Sequence, residues 1–600
     1  MLTRIERPRV FRDYLVYDLE WIPGKFSKDG TMMIRLAGVY DGNRYRCYAS
    51  IDGFIANELT SKNRGKWFYA HAGGLADFQF VLEALIGKGG FRVKASTSGS
   101  SLIIVHVSRG KHSWHFVDSL WLLKDKLANI GKWIGIDKGR QDLEGEALEL
   151  WFKDAPISEL RRYNEIDCII LFKAITLFEE TLLELGGQLK MTQASCAMEL
   201  FRRRFLRREI ATSPLANLIA RDAYFASRVE VINRHCKDAW YYDVNSSFPY
   251  AMTFPVPGDP LEHSIGTMPD RYDDPFIAFC DITVPEIPIP TVPTRLDGRL
   301  FFPFGKWSGW LTSVDLELLE RTGGKIRRVQ ESITFEPRDD LKGYVETLYD
   351  IRCKSEGFMK ISCKFLLNSI YGKFAESEIK NAIEINPPSP KGPDEGWTML
   401  FPGCFMIERV VPIPHMHVPI SAHVTAIGRR TLWDYMNCAD EVHYCDTDGF
   451  SSSEMFQEEI GVLGGVKLEK TLDDGHYVTQ KVYRQTGKDE KGLPFDIVRA
   501  KGFSKMMKKG KDGQEVADLE RFYQIIEGEE VSYTRMARTR ELLRQQRITP
   551  VERRYGKHLQ DTLVPKRCFY PDGHSRPWNI DELRSVGFQT QTRKLKHEHE

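Results

Sequence analysis

Asp446 and Asp448 flank a threonine in YCDTDGF (444–450), and Asp243 stands near the end of the apolar run AWYYDV (239–244). Carboxylates crowded at a turn repel one another unless a cation lies between them, and aspartate oxygens are what hard divalent ions such as Mg2+ take as ligands. After Asp243 the chain turns tightly through Ser246, Ser247 and Phe248, so backbone groups beside the carboxylate are available to a triphosphate. Between the two acidic segments lies RCKSEGFMKISCKFLLNSIYGKF (352–374). At helical pitch Lys360, Lys364, Asn368 and Tyr371 fall within about an 80° arc. That stripe aligns two phosphate-neutralising ammonium groups with an amide and a ring that can pack on a base or sugar. Taken singly, each feature has an ordinary reading, since Asp-rich turns are common and lysine stripes are usually solvated. Asn-Ser-Ile-Tyr-Gly directly after the lysines makes the ordinary reading poor.

A second acidic set lies near the N-terminus. Asp18 and Glu20 in YDLEW occupy alternate positions of a predicted strand, which puts both carboxylates on one face. Asp77 follows the Gly-Gly turn of HAGGLADF at a predicted helix start, and Tyr163 and Asp167 in YNEID share a helical face at i, i+4. Each alone reads as a surface acid. Together, carboxylates from separate elements suit two divalent metals about 4 Å apart, one activating water and the other stabilising the leaving oxygen of a phosphodiester.

The elements that must position these groups alternate between strand and helix. Strands are predicted at 14–21, 32–40, 67–72 and 239–244, and helices at 77–85, 157–185, 312–322 and 340–375. The proline-rich stretch 254–304 suits strands and loops rather than long helices, NPPSPKGPDEG (386–396) reads as a protruding loop or hairpin, and 441–453 reads as a hairpin around Asp-Thr-Asp-Gly. With 600 residues, 42% hydrophobic and 28% charged, the chain is a multidomain globular protein rather than a disordered, fibrous or coiled-coil one. No run of about 18 apolar residues predicts a membrane span, and the charged start MLTRIERPRVFRDYLVYDLEW does not suit a signal peptide. Eleven scattered cysteines without a CxxC argue for a reduced compartment and against a zinc ribbon. The net charge of +1 conceals a basic C-terminal fifth, 26 Lys+Arg against 18 Asp+Glu from Lys481 to Glu600, which suits a polyanion or a solvated surface.

In order, DxxSxxP at Asp243, KxxxNSxYG at Lys364 and YxDTD at Tyr444 resemble the A, B and C motifs of family B DNA polymerases, and the N-terminal acids resemble that family's three exonuclease motifs. The chain is most similar to the protein-primed branch found in bacteriophages and linear plasmids. GWLTSVDLELLER (309–321) resembles a recurring segment of that branch's first terminal protein region, and the 71 residues between Gly372 and Tyr444 leave room for the second. The resemblance implies an α/β multidomain fold: an RNase H-like 3′–5′ exonuclease domain (1–187), palm (188–260 and 411–525), two terminal protein region insertions (261–349 and 376–410), fingers (350–375), and a thumb with C-terminal extension (526–600).

It further implies that Asp243, Val244 and Asp446 hold two Mg2+ ions, for which Mn2+ can substitute, with Asp448 close by. Arg352, Lys360 and Lys364 would steady the triphosphate, while Val244, Ser247, Phe248, Asn368 and Tyr371 shape the nucleotide pocket and Phe248 excludes a ribose 2′-hydroxyl. Asp18, Glu20, Asp77 and Asp167 would form the exonuclease centre, with Asp18, Glu20 and Asp167 on metal, Tyr163 orienting water and Lys138 a candidate site lysine. His71, Phe80, Ser119 and Leu120 would hold a frayed primer strand, and Ser369, Gly372, Lys481, Tyr483 (from TQKVY) and Lys501 would contact DNA. Ala72 stands where the family has Asn, Ala226 and Ser227 where a YxGG turn has its glycines, and Gly449 where Ser is usual. The implied partners are template and primer DNA, dNTPs and a terminal protein, for a monomer with no membrane association. The implied setting is a bacterial host's cytoplasm, or a mitochondrion for a linear plasmid. Two alternatives stand beside this reading: a family B polymerase using ordinary primers or none, and a nuclease or DNA-binding replication factor whose polymerase half is vestigial.

Overall fold

The structure, a computed structural model, describes residues 1–99, 101–140, 143, 145–269, 271–503, 506–509, 515–559 and 565–589. Among the described residues no helix is long and apolar enough to cross a membrane.

The N-terminal strands build a ten-stranded sheet. Tyr14–Ile22 lies inside it, parallel to Trp67–Ala70 and antiparallel to Met33–Tyr40. Its alternation buries Leu15, Tyr17 and Leu19 in one core and Val16 in another, on the opposite face. The helix Ile157–Glu184 buries Leu160, Tyr163, Asn164, Asp167, Ile170 and Leu171 along one side, so its inward stripe carries polar groups among the apolar ones.

The far edge of this sheet comes from distant sequence. Ile379–Ile385 pairs with Arg92–Ser98, and Cys404–Val410 and Trp397–Phe401 extend the edge further. Segment 376–410, expected to be an insertion in its own right, is therefore continuous with the N-terminal sheet. Its Ile383, Ile385 and Cys404 join that sheet's core, and burying them is what seals the edge strand at 92–98.

A seven-stranded antiparallel sheet centres on His235–Val244, flanked by Val466–Thr479 on one side and Gly449–Ser452 on the other. The hairpin Val442–Asp446/Gly449–Ser452 supplies two of its strands. The helix Val418–Asn437 packs on this sheet through Leu432 and Met436, against Tyr242, Val244 and Phe450.

A four-stranded sheet orders Val256–Ile265, Lys325–Arg338, Phe276–Val284 and Gly305–Thr312. The sheet runs from Val256 to Arg338, and the helix Asp340–Lys354 that follows packs on the helix Gly357–Ser369. Thr312 caps the helix Ser313–Arg321 through a reciprocal bond with Asp315; Asp315 is also paired at 2.8 Å with the buried Arg429. Arg429 in turn donates to the carbonyl oxygens of Phe225 (2.8 Å) and Ala226 (3.4 Å). Ala226 and Ser227 are not among the residues with positive φ. The linker therefore needs no left-handed turn, and Ala226 and Ser227 stand in it without the strain that a positive φ would impose.

The described part of the C-terminal extension, residues 565–589, packs on the rest of the chain, while the basic stretch 590–600 lies outside the described residues. Its hairpin Arg567–Phe569/Ser575–Pro577 bridges to Asn233 through His574, and Ile580 and Leu583 enter the apolar core of the four-stranded sheet beside Phe276 and Leu311. Arg567 is 2% exposed and lies 3.8 Å from Glu230, which Arg228 also holds. An arginine buried this way must have an acid partner, so residues 567–588 strap two sheets together rather than reach outward.

Candidate active site

Asp18, Glu20 and Asp167 bring one oxygen each within 4.8 Å of one another. The strand contributes the first two on one face and the helix the third, as the spacing predicts. Asn164, which sequence reasoning missed, holds the set together. Its amide donates to the Asp18 carboxylate (2.9 Å) and the Glu20 carboxylate (3.2 Å), while its oxygen accepts from the Tyr45 hydroxyl (2.9 Å). The signal was present, since Asn164 sits one helical turn before Asp167. Gly38, opposite Asp18 in register, leaves room for that amide, because a Cβ there would lie 1.7 Å from the Asn164 oxygen. Lys138 bonds Asp167 and rides 4.8 Å from the Tyr163 ring centroid. Asp77 stands outside the cluster and accepts from the Leu19 amide at 3.2 Å.

Crowding and loss of water raise these acids. Asp18 is pushed up to about 7, chiefly by desolvation and then by repulsion from Asp167. Desolvation and its acidic neighbours hold Glu20 and Asp77 well above the ordinary carboxylate range. Desolvation raises Asp167 too, against the pull of Lys138. Three acids at this spacing with raised proton affinities are what a divalent cation would relieve.

Of the residues expected to hold a strand, His71 bonds Ser119 (3.0 Å) and the Asp125 carbonyl (2.8 Å) through its two ring nitrogens. Burial lowers its pKa to about 4, so it is neutral. His71, Ala72, Leu120, Lys124 and Lys138 line a cavity of about 630 Å³. Ser119 is buried, its hydroxyl bonded to the Ala70 carbonyl at 3.0 Å. Phe80 is a correction: at 2% exposure, packed against Trp21, it is core and cannot reach a strand. Ala72 adopts φ 58°, a conformation that Asn tolerates better than Ala.

The second centre is built by sheet register. Gly449 pairs with Asp243 on one side and Asp446 on the other. Opposed residues share a face, so both carboxylates project from the same side, with backbones about 10 Å apart across two strand spacings. Asp448 follows at the hairpin tip, its carbonyl accepting from the Val244 amide at 2.9 Å. Desolvation, then repulsion from Asp448 and Glu469, pushes Asp243 up to about 7, and Lys364 and Lys467 oppose the rise. Desolvation takes Asp448 to about 6. Asp446 is bonded by Lys481 (2.6 Å) and Tyr444 (3.2 Å).

Around these acids, Ser247 opens the short helix Ser247–Ala251. Phe248 stacks on Tyr371 with centroids 4.4 Å apart and planes 18° apart, and Arg352 donates to the Ser246 hydroxyl at 2.9 Å. Lys360, Lys364 and Asn368 are exposed, opposite buried Ser362, Cys363, Leu366 and Leu367. The Ser369 hydroxyl is bonded back to the Phe365 carbonyl at 2.8 Å, while Gly372 is exposed. Tyr483 packs against Tyr444 and Tyr477. Lys501 is exposed, and its amide bonds the Lys481 carbonyl at 2.9 Å.

Metal-free protein should lose stability as pH rises. Asp18 and Asp243 bind protons more tightly folded, at about 7, than unfolded, near 3.9, so the contribution is complete below about pH 4 and lost through about pH 7. Thermal melting in a chelator between pH 5.5 and 8 checks this. Asp18→Asn or Asp243→Asn should flatten the fall, and a slope equal to wild type would count against the raised values.

Residues 148–389 match a family model described as DNA polymerase type B, organellar and viral. The chain is 26% identical over 517 residues to a probable DNA polymerase of Ascobolus immersus, covering 74% of this chain and 43% of that one. It spans about 40% of the length of the fungal relatives it matches. It is 26% identical over 521 residues to a DNA-directed DNA polymerase of Enterobacteria phage PRD1, covering 80% and 84%. Among solved structures, a phi29 DNA polymerase complexed with primer-template DNA and incoming nucleotides superposes with a TM-score of 0.70 at 18% identity, covering 92% of this chain and 100% of that one. That likeness shows a shared multidomain α/β fold.

Proposed function

We propose, from the match of residues 148–389 to the organellar and viral type B DNA polymerase model and the likeness to the phage PRD1 enzyme, that the chain is a DNA-directed DNA polymerase with a 3′–5′ exonuclease. The observation that carries this reading is the register that sets Asp243 and Asp446 on either side of Gly449, with the Lys364 charge acting on Asp243. In this reading the seven-stranded sheet is the palm, the helix Gly357–Ser369 the fingers, the N-terminal ten-stranded sheet the exonuclease, and the segments at 256–338 and 376–410 the two insertions.

Asp243 and Asp446, with the Val244 backbone, fit a pair of divalent ions, Mg2+ by ligand type. When bound, such ions lower the pKa of an attacking hydroxyl and neutralise a leaving pyrophosphate. The protein's own residues do the rest. Lys360 and Lys364 draw the triphosphate to the helix face, and Arg352 holds the Ser246 turn beneath it. The Phe248–Tyr371 stack gives the sugar a flat wall, which an added 2′-hydroxyl would strike. At the N-terminal centre, Asp18, Glu20 and Asp167 fit metal, with Tyr163 and Lys138 beside them to orient water. DNA contacts are expected mainly on the backbone and to weaken steeply with salt.

Gly38→Ala should reduce primer degradation about a hundredfold by displacing Asn164, with extension unchanged; equal loss of both activities would mean a folding defect instead. Primer extension on a labelled primer-template tests the polymerase reading, and a chain that only degrades would favour the nuclease alternative. We further propose protein priming, supported by the two insertions and the phage relatives. Its test is covalent transfer of a labelled dNMP to a candidate terminal protein; extension of DNA primers without any such transfer would favour ordinary priming.

A further inference from the structure

We propose that Tyr241 seats the terminal nucleotide of the primer, its hydroxyl donating to the sugar–phosphate there, in a place that Gly449 keeps open for it. This rests on the polymerase reading above. Tyr241 and Asp243 are alternate residues of one strand and face the same way. The tyrosine leans across the neighbouring strand, so that a side chain on Gly449 would begin 2.8 Å from its hydroxyl and 3.0 Å from a ring carbon. Those distances exclude a serine at 449 while Tyr241 keeps this position. The hydroxyl lost from motif C at Gly449 is thus matched by one delivered from motif A's strand.

Three observations make that hydroxyl a ligand contact rather than a structural one. No hydrogen bond within the described residues engages it. The ring is held from below by the Lys470 ammonium, 4.4 Å from its centroid, itself bonded to Gln485 at 3.0 Å. The face it lies on carries Asp243 and Asp446, with the Lys481 ammonium 2.6 Å from Asp446, where a strand end must sit to be extended.

The test compares wild type, Tyr241→Phe, Gly449→Ser and the double variant Tyr241→Val/Gly449→Ser in the full chain. Primer-template Kd is measured without dNTP, and dNTP KM and thermal melting are measured separately. Tyr241→Phe should weaken primer-template binding about tenfold with dNTP KM and melting unchanged, a pattern that a merely structural tyrosine would not give. Gly449→Ser should do worse through the clash, and the double variant should recover to within about threefold of wild type. Wild-type binding by Tyr241→Phe, or additive losses in the double variant, overturns the proposal while leaving the polymerase reading intact. A wild-type chain that binds primer-template and never extends it overturns both.

Discussion

Asp446→Ala should abolish nucleotide incorporation, by at least about a thousandfold, or on the order of 4 kcal/mol of transition-state stabilisation, while primer degradation continues at the wild-type rate. The asymmetry follows from the separation of the two acidic sets, one on the seven-stranded sheet and one on the ten-stranded sheet. Removing Asp446 takes away one of the carboxylates proposed to hold the metal pair. It also frees Lys481, whose side chain is 39% exposed and can return to water at little cost. Melting should stay near the wild-type value, so lost synthesis would reflect chemistry rather than unfolding. The check is single-turnover incorporation beside degradation of a labelled single strand. Unchanged incorporation would remove Asp446 from the reaction.

Asp18→Ala with Glu20→Ala should give the mirror result: degradation lost by a similar factor, extension retained, and longer products surviving at low dNTP. Here the stability effect has a definite sign. Both groups are more readily protonated folded than unfolded, so ionised carboxylates destabilise the metal-free fold at neutral pH. The double variant should therefore melt no lower than wild type in a chelator, and should gain less than wild type when Mg2+ is added. Persistent degradation would put the nuclease elsewhere.

The chemistry was more legible in the sequence than the architecture. Asp18 and Glu20 follow from a period of two, and Lys360, Lys364 and Asn368 from a period of 3.6, because these spacings fix which side chains share a face. Periodicity does not fix what lies opposite. Asn164 shares a helical face with Asp167, one turn on, but its partner Asp18 and the room that Gly38 leaves for it lie on strands that helical spacing does not reach. Phe80 failed for the same reason, since its helix turns that position into the core beside Trp21. Strand pairing across hundreds of residues, such as Glu384 with Lys94, leaves no local trace, so the sequence does not show that segment 376–410 extends the N-terminal sheet. The tail's basic composition suggested a polyanion, whereas Arg567 is spent on Glu230 inside the protein.

In the proposed function, Asp243 and Asp446, brought to one face by their common partner Gly449, form a metal-dependent nucleotidyl-transfer centre. The most direct measurement is single-turnover extension of a labelled primer-template by wild type and Asp243→Asn, titrated with Mg2+. Wild type should add nucleotides with saturable Mg2+ dependence, and Asp243→Asn should add none at any Mg2+ concentration while still shortening the primer when dNTPs are withheld. Extension by Asp243→Asn at the wild-type rate would contradict the account.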